Sequence, residues 1–591
     1  MKLKKYIGGA AVSLLAIGMG SCASDYLDTP QHGIVSNQDI CKTTESAYQA
    51  TIGVSQALSG VWSYDLFFQF LGPGDSAAST FYGEYVGSDA FWSYMYTEAP
   101  SWTFFFTMDD SLGYGNYVWD NKMWNYAYAI IGQANEIIEG IDGAEGDENQ
   151  KNFTKGEILT LRAYAYWRLL QVYGPRWENS NGGENLSVIL RLSPSDPQDM
   201  PLAKTKDVLA QLYTDLDTAI ECYKKAGNYS RTLTYEPDLA VCYGLYARIA
   251  ALQNDWAKVK EMAHNARQGK RSSTPAQMAK CYTEYDENEW MWSASFLSPI
   301  DNNIYSNWGT TYAANAYYTR SEGATTRINR SLYNKIPETD SRRNLWFTID
   351  KIAKNIPAGI PGESTSTGEI DWADFYSNKN VNTNTQDITG RKQRRAATAW
   401  IEENTPAGFE NAYTMMPDSK DAKRPLICDG AQMKFFTVGN LGETKMCFPP
   451  YMRATEMYLL EAEACAMLGQ TAEAQAILNE VNQKYDSAYN CTKTGQDLID
   501  EVRTYTRIEL WGEGFCWFNL KRWGVNLERK AWTPNDITSG NIPGGVSCDV
   551  APTDANQWRY GIPLSETNYN NAVSYPYEGN GMIASDEDDE Q

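Results

Sequence analysis

Seven stretches of this chain repeat apolar residues three and four apart, and a helix with one apolar face must bury it against a neighbour. Met123, Ala127, Ile130, Ile131, Ala134 and Ile138 make the first stripe, and Ile158, Leu161, Ala165, Leu169 and Val172 the second. The second stops before Gly174-Pro175, a helix-ending pair. Val208–Tyr223 carries Leu212, Leu216, Ala219 and Ile220 on one face. Pro237–Leu252, Trp256–Ala266, Arg453–Leu468 and Thr471–Lys484 follow. Two of the pairs overlay. Asn254 precedes Val259 by five and Ala266 by twelve, as Gly469 precedes Ala474 and Val481. A turn residue followed by small side chains at close helix contacts is what a tetratricopeptide-type repeat needs. The expected fold class is mostly all-α, with tetratricopeptide-like helix pairs forming a superhelical scaffold.

Two stretches break this pattern. Residues 60–120 and 270–450 are rich in Gly, Asn, Thr, Ser and aromatics, with little helical period. The chain holds 19 Trp, 39 Tyr and 18 Phe, and these segments hold many of them. Irregular segments this long in a compact protein are read as functional excursions, long irregular loop-rich insertions in the scaffold.

The start reads as an export signal. Lys2, Lys4 and Lys5 precede an apolar run from Ile7 to Ile17, too short to span a bilayer comfortably. Met19-Gly20-Ser21-Cys22 then looks like a bacterial lipoprotein cleavage site, with Cys22 acylated. Loss of residues 1–21 removes three Lys and no acid, taking the net charge from −23 to −26. Such an acidic surface repels phosphate backbones, so no nucleic-acid partner is expected. His32 and His264 are the only histidines, and no Cys-x-x-Cys occurs, so no metal site or cofactor is expected. Cys465 and Cys516 lie in helical patterns and read as buried thiols. The acidic tail 584–591 reads as solvated.

Several blocks together resemble the SusD/RagB family of Bacteroidetes outer-membrane nutrient-binding lipoproteins. They are the acidic start after Cys22, Trp124–Asn135 (WNYAYAIIGQAN), Gly156–Pro175 (GEILTLRAYAYWRLLQVYGP) and Met457–Gly469 (MYLLEAEACAMLG). Arg507–Gly524 (RIELWGEGFCWFNLKRWG) is the most specific, and Arg559–Asn571 closes the chain. Phe515-Cys516 stands where the family often has His-Arg, and Asn519 where Asp is frequent. In this block Leu510, Trp511, Phe515, Phe518 and Leu520 are expected in a core. Glu509 and Glu513 share a helical face, but with several Arg nearby they read as structural ion pairs before acid/base groups.

The resemblance implies a signal peptide over 1–21, an N-terminal part over 22–270 with helical repeats, and a C-terminal part over 271–591 with ligand-binding loops. It implies a non-catalytic, lipid-anchored protein of the outer membrane surface. Such a protein captures oligosaccharides for a SusC-like TonB-dependent barrel. Peptide capture by the same fold and glycoside hydrolysis are the alternatives. Sugar rings lie flat on indole and phenol faces, each stacked ring adding about 0.5–1.5 kcal/mol beyond area burial. The candidate platforms are Trp92, Trp102, Trp290, Trp292, Tyr305 and Trp308.

Overall fold

The structure is a computed structural model. It describes residues 40–58, 79–92, 118–278, 280, 282–295, 326–347, 430–432, 434–435, 448–530, 547–553 and 558–573. Ten long helices run through the described residues: α1 (Thr44–Ala57), α2 (Val118–Gly140), α3 (Glu148–Tyr173), α4 (Thr205–Lys225), α5 (Leu239–Leu252), α6 (Trp256–Ala266), α7 (Ala454–Met467), α8 (Thr471–Asn482), α9 (Gly495–Glu509) and α10 (Cys516–Trp523). The fold is mostly helical, as expected. None of the described helices is long and apolar enough to cross a membrane.

Local chemistry sets the helix ends. Asp147 accepts the Asn149 and Gln150 N–H groups at the start of α3, and Asp238 and Asp255 cap α5 and α6 in the same way. Helix α3 ends at Gly174 as the Gly-Pro pair predicts. Its last carbonyls are covered by Lys521 of α10, whose Nζ donates to Gln171 O at 2.8 Å and Gly174 O at 2.7 Å. Helix α3 packs against α1, α2 and α4, and from Gly156 to Tyr173 every residue is buried. That makes it the central element, with no face left for solvent.

The overlaid pairs α5–α6 and α7–α8 turn in the same way. Asn254 sits at φ 60° and Gly469 at φ 72°, both left-handed. Val259, Ala266, Ala474 and Val481 are all buried to 0% exposure, and α6 packs on α7 so that the two pairs are neighbours. Close contact at small residues is what the sequence overlay required. Helix α1 was not anticipated, because TESAYQATIGVSQA has only a weak apolar stripe.

The strands are short. Strands β1 (Ala90–Trp92), β5 (Thr326–Ile328), β7 (Ala431–Gln432) and β6 (Trp346–Phe347) form one antiparallel sheet in that order. Three two-stranded ribbons complete the set: β2 (Leu186–Ile189) with β3 (Leu202–Lys204), β4 (Trp290–Ser293) with β8 (Pro450–Arg453), and β9 (Leu527–Arg529) with β10 (Cys548–Val550). One contiguous apolar core spans helices and strands from both halves of the chain.

Candidate functional site

The four-stranded sheet is where the aromatic segments meet the scaffold. Trp92, the last residue of β1, pairs with Thr326, the first of β5. The stretch after Trp92 and the stretch before Thr326 therefore open at one end of the same sheet. Arg327 pairs with Ala431, and Trp346 with Gln432, so the stretch after Gln432 opens at that end as well. The long 348–429 stretch leaves β6 and re-enters before β7 at the opposite end.

The sheet is anchored by the sequence block at 507–524 and by Arg529 just after it. Arg507 Nε donates to Asp89 Oδ2 at 2.9 Å, and Trp511 Nε1 to the Asp89 carbonyl at 2.8 Å. Burial opposes ionisation of Asp89, but the Arg507 guanidinium outweighs it and holds the carboxyl below its usual range. Arg529 donates to the Gly87 and Tyr85 carbonyls at 2.8 and 2.7 Å. Glu84 Oε1 accepts the N–H groups of Gly514 and Phe515 at 2.8 and 2.9 Å, at the start of α10. Gly83 lies so close to this turn that a Cβ there would sit 2.1 Å from the Gly514 carbonyl oxygen. The turn itself needs glycine, since Gly512 and Gly514 have φ of 79° and 90°. On the other side, Asn329 donates to the Asp89 and Ser88 carbonyls at 2.8 Å each, tying β5 to the same segment.

Beneath lies a closed charge network. Arg453 donates to Glu289 at 2.6 Å and to Glu513 at 2.7 and 2.8 Å. Lys434 Nζ reaches Glu513 at 2.6 Å and the carbonyls of Glu509 and Trp511 at 2.6 and 2.8 Å. Arg342 bonds Asp340 at 2.6 Å, Asn482 at 2.8 Å and Glu509 at 3.1 Å. The side chains of Glu509 and Glu513 are 1% and 2% exposed, so no substrate reaches them. Burial works against the Glu509 carboxylate, yet Arg453, Arg342 and Lys434 together hold it at about 2. Glu289 goes the other way: burial pushes it up to about 8 despite Arg453 beside it. With Glu289 protonated, three cations (Arg342, Arg453, Lys434) face three carboxylates (Asp340, Glu509, Glu513). The structural reading of Glu509 and Glu513 stands.

Two of the expected platforms are corrected. Trp290 and Trp292 are core residues, 2% and 0% exposed. Trp292 Nε1 donates to the Tyr235 carbonyl at 2.7 Å, and its ring packs edge-on against Tyr164 and Tyr451 at 4.9 and 5.1 Å. Trp290 packs edge-on against Tyr282 at 5.4 Å. The reason is local: all four residues of β4 are buried, so Trp-Met-Trp is a strand covered on both faces rather than a rim. Trp92 ends β1, whereas Trp102, Tyr305, Trp308 and Cys22 lie outside the described residues. Sequence reasoning did not single out Glu84, Asp89 or Arg529. Their signal is only polar residues in an otherwise aromatic stretch, and nothing local names their partners more than 400 positions away. Cys465 and Cys516 are buried free thiols, as expected. Among the described residues no cluster of His, Cys, Asp or Glu is arranged to hold a metal.

Comparison with known proteins agrees with this architecture. The sequence profile described as the SusD family matches residues 259–589. A second, described as "Starch-binding associating with outer membrane", matches residues 82–251. No curated protein matches the chain. Among solved structures, a SusD-like carbohydrate binding protein from Bacteroides vulgatus is similar at TM-score 0.64 and 18% identity, covering 90% of this chain and 98% of its own. A putative sugar binding protein from the same species gives TM-score 0.65 at 15% identity, covering 92% and 99%. A SusD superfamily protein from Bacteroides thetaiotaomicron gives 0.61 at 18%, covering 90% and 99%. Those identities establish a shared fold, and the first profile spans more than half of the sequence: the chain belongs to the SusD family.

Proposed function

We propose that this chain is a non-catalytic glycan-binding lipoprotein of the outer membrane surface that captures oligosaccharides and passes them to a SusC-like TonB-dependent barrel. The observation that carries the glycan reading is the pairing of Trp92 with Thr326. It brings the roots of two aromatic-rich stretches, more than 200 residues apart in sequence, to one end of one sheet. A flat ring on each side of such a mouth suits a sugar chain, whose ring faces stack and whose rim hydroxyls take hydrogen bonds. The profile descriptions and the names of the similar structures point to the same ligand class. The absence of catalysis is supported by the sealed state of Glu509 and Glu513, the carboxyl pair best placed for an acid/base reading. Acylation at Cys22 would hold the protein at the membrane. The platforms proposed now are Trp92, Trp102, Tyr305 and Trp308.

Affinity gels loaded with single polysaccharides test this. The mature chain is expected to be retarded by at least one, and Trp92→Ala to run faster on that gel. Reducing-sugar release by the pure protein would refute the binder reading. Retardation by none, together with binding of a peptide pool, would move the protein to peptide capture.

A further inference from the structure

We infer that the chain has a second carbohydrate site, in a cleft of about 600 Å³ between α1, α2 and the 189–198 strap. Its lining shares no residue with the proposed loop platforms, and only the ligand class is taken from that reading. The volume falls within the range of small-ligand sites, roughly 300–1,000 Å³.

The walls are held in place without a ligand. Tyr128 OH donates to the Ile189 carbonyl at 2.7 Å and accepts the Ile189 N–H at 2.9 Å. Tyr166 OH does the same for Arg191, at 2.7 Å in both directions. Arg191 then bonds the Pro197 and Gln198 carbonyls at 2.7 Å each, and Asp196 accepts the Leu192 and Ser193 N–H groups at 2.6 and 3.0 Å. A strap clamped at this many points is preorganised, so binding loses little ordering entropy.

The lining suits a neutral sugar chain. Ala50, Ala129 and Gly132 give a low floor, and a Cβ at Gly132 would meet nothing within 4 Å. Tyr128 brings a half-buried ring fixed by its hydroxyl. Gln133 is exposed, and its amide has no hydrogen-bond partner among the described residues. Glu136, Asp196 and Glu566 outnumber Arg191, which disfavours an anionic ligand. Gln198, the last residue of the strap, donates to the Tyr569 carbonyl at 2.9 Å. Of the larger apolar side chains that line the cleft, Val54, Ile131 and Ile137 are buried and Ile40 is half-buried. A lipid chain or an amphipathic helix needs such side chains exposed together as one broad patch. A polyhydroxylated ligand does not.

Calorimetric titration of the mature chain with maltohexaose, cellohexaose, xylohexaose and mannohexaose separates the two sites. The expected result is two equivalents of one hexaose bound by the wild type, and one each by Trp92→Ala and Gly132→Trp. The double variant binds none. Gln133→Ala, which leaves the floor intact, should weaken the cleft site about three- to tenfold, the worth of one hydrogen bond. Circular dichroism confirms that Gly132→Trp is folded. One equivalent abolished by Trp92→Ala and untouched by Gly132→Trp would overturn the cleft and leave the loop reading standing. One equivalent abolished only by Gly132→Trp would do the reverse. Binding of no hexaose would overturn both.

Discussion

Replacing Glu289 by Gln should make the protein relatively more stable as pH rises. In the folded chain Glu289 is fully buried and pushed from 4.5 up to about 8. Its Oε1 accepts from Arg453 and Thr455 at 2.6 Å each, while Oε2 has no hydrogen-bond partner. Between those two values the folded state keeps a proton that the unfolded state has released. Stability must therefore fall as pH rises, by at most about 1.4 kcal/mol per pH unit from this group. From about pH 5 to about pH 7.5 the ceiling is about 3 kcal/mol. Gln keeps the acceptor for Arg453 and Thr455 and mimics the protonated acid, so this loss disappears. Its amide nitrogen takes the place of Oε2, so neither amide hydrogen meets a partner, which costs about 1–3 kcal/mol, equally at both pH values. The quantity to measure is the change in the variant-minus-wild-type difference between about pH 5 and about pH 7.5, from urea unfolding followed by tryptophan fluorescence. Other buried acids, Glu84 and Glu157 among them, are common to both proteins and cancel. A rise of about 2–3 kcal/mol is expected. A difference that does not change with pH would show that Glu289 is ionised in the fold, and the balance of three cations against three carboxylates would be wrong.

Arg453→Met should cost about 3–5 kcal/mol in the same unfolding assay, because it strands Glu509 and Glu513 inside with fewer cations. Gly83→Ala should cost about 1–3 kcal/mol by overpacking, since the atom it meets is the Gly514 backbone oxygen and not a movable side chain. Trp292→Phe should lower stability by about 1–3 kcal/mol through the lost Tyr235 bond and ring volume, and leave polysaccharide retardation unchanged. Loss of retardation in a folded Trp292→Phe protein would return that ring to the ligand site.

The helical scaffold was legible because its signals are local. A stripe of apolar residues and a Gly-Pro stop each act within a few residues, and Asn254 and Gly469, read as turn residues, stand where the backbone turns left-handed. Helix α1 escaped because its buried residues include Thr44, Thr51 and Ser55, which read as surface types. Thr51 and Ser55 are satisfied inside, by the Ala47 carbonyl at 2.9 Å and by Glu157 at 2.7 Å, partners that no periodicity reveals. Trp290 and Trp292 misled for the opposite reason. An aromatic-rich stretch looks the same whether its rings stack on a ligand or on one another, and only the pairing of β4 with β8 decides it.

The same distinction explains why one sequence block is so specific while the segments it supports are not. The 507–524 block, with Arg529 just after it, bonds mainly to backbone atoms and buried charges of distant segments: Asp89, the Gly87 and Tyr85 carbonyls, Glu84 through the α10 turn, and Lys434 through its own carbonyls. A change at Arg507, Trp511 or Glu513 would leave a buried partner unsatisfied, at a cost comparable to a large share of a domain's net stability. Residues beyond Trp92 and before Thr326 enter and leave through a strand pair that needs only backbone hydrogen bonds. The strand pair itself therefore puts no demand on the side chains that follow it. Under the proposed function, the fixed part sets where cargo is held and the segments beyond it set which cargo it is.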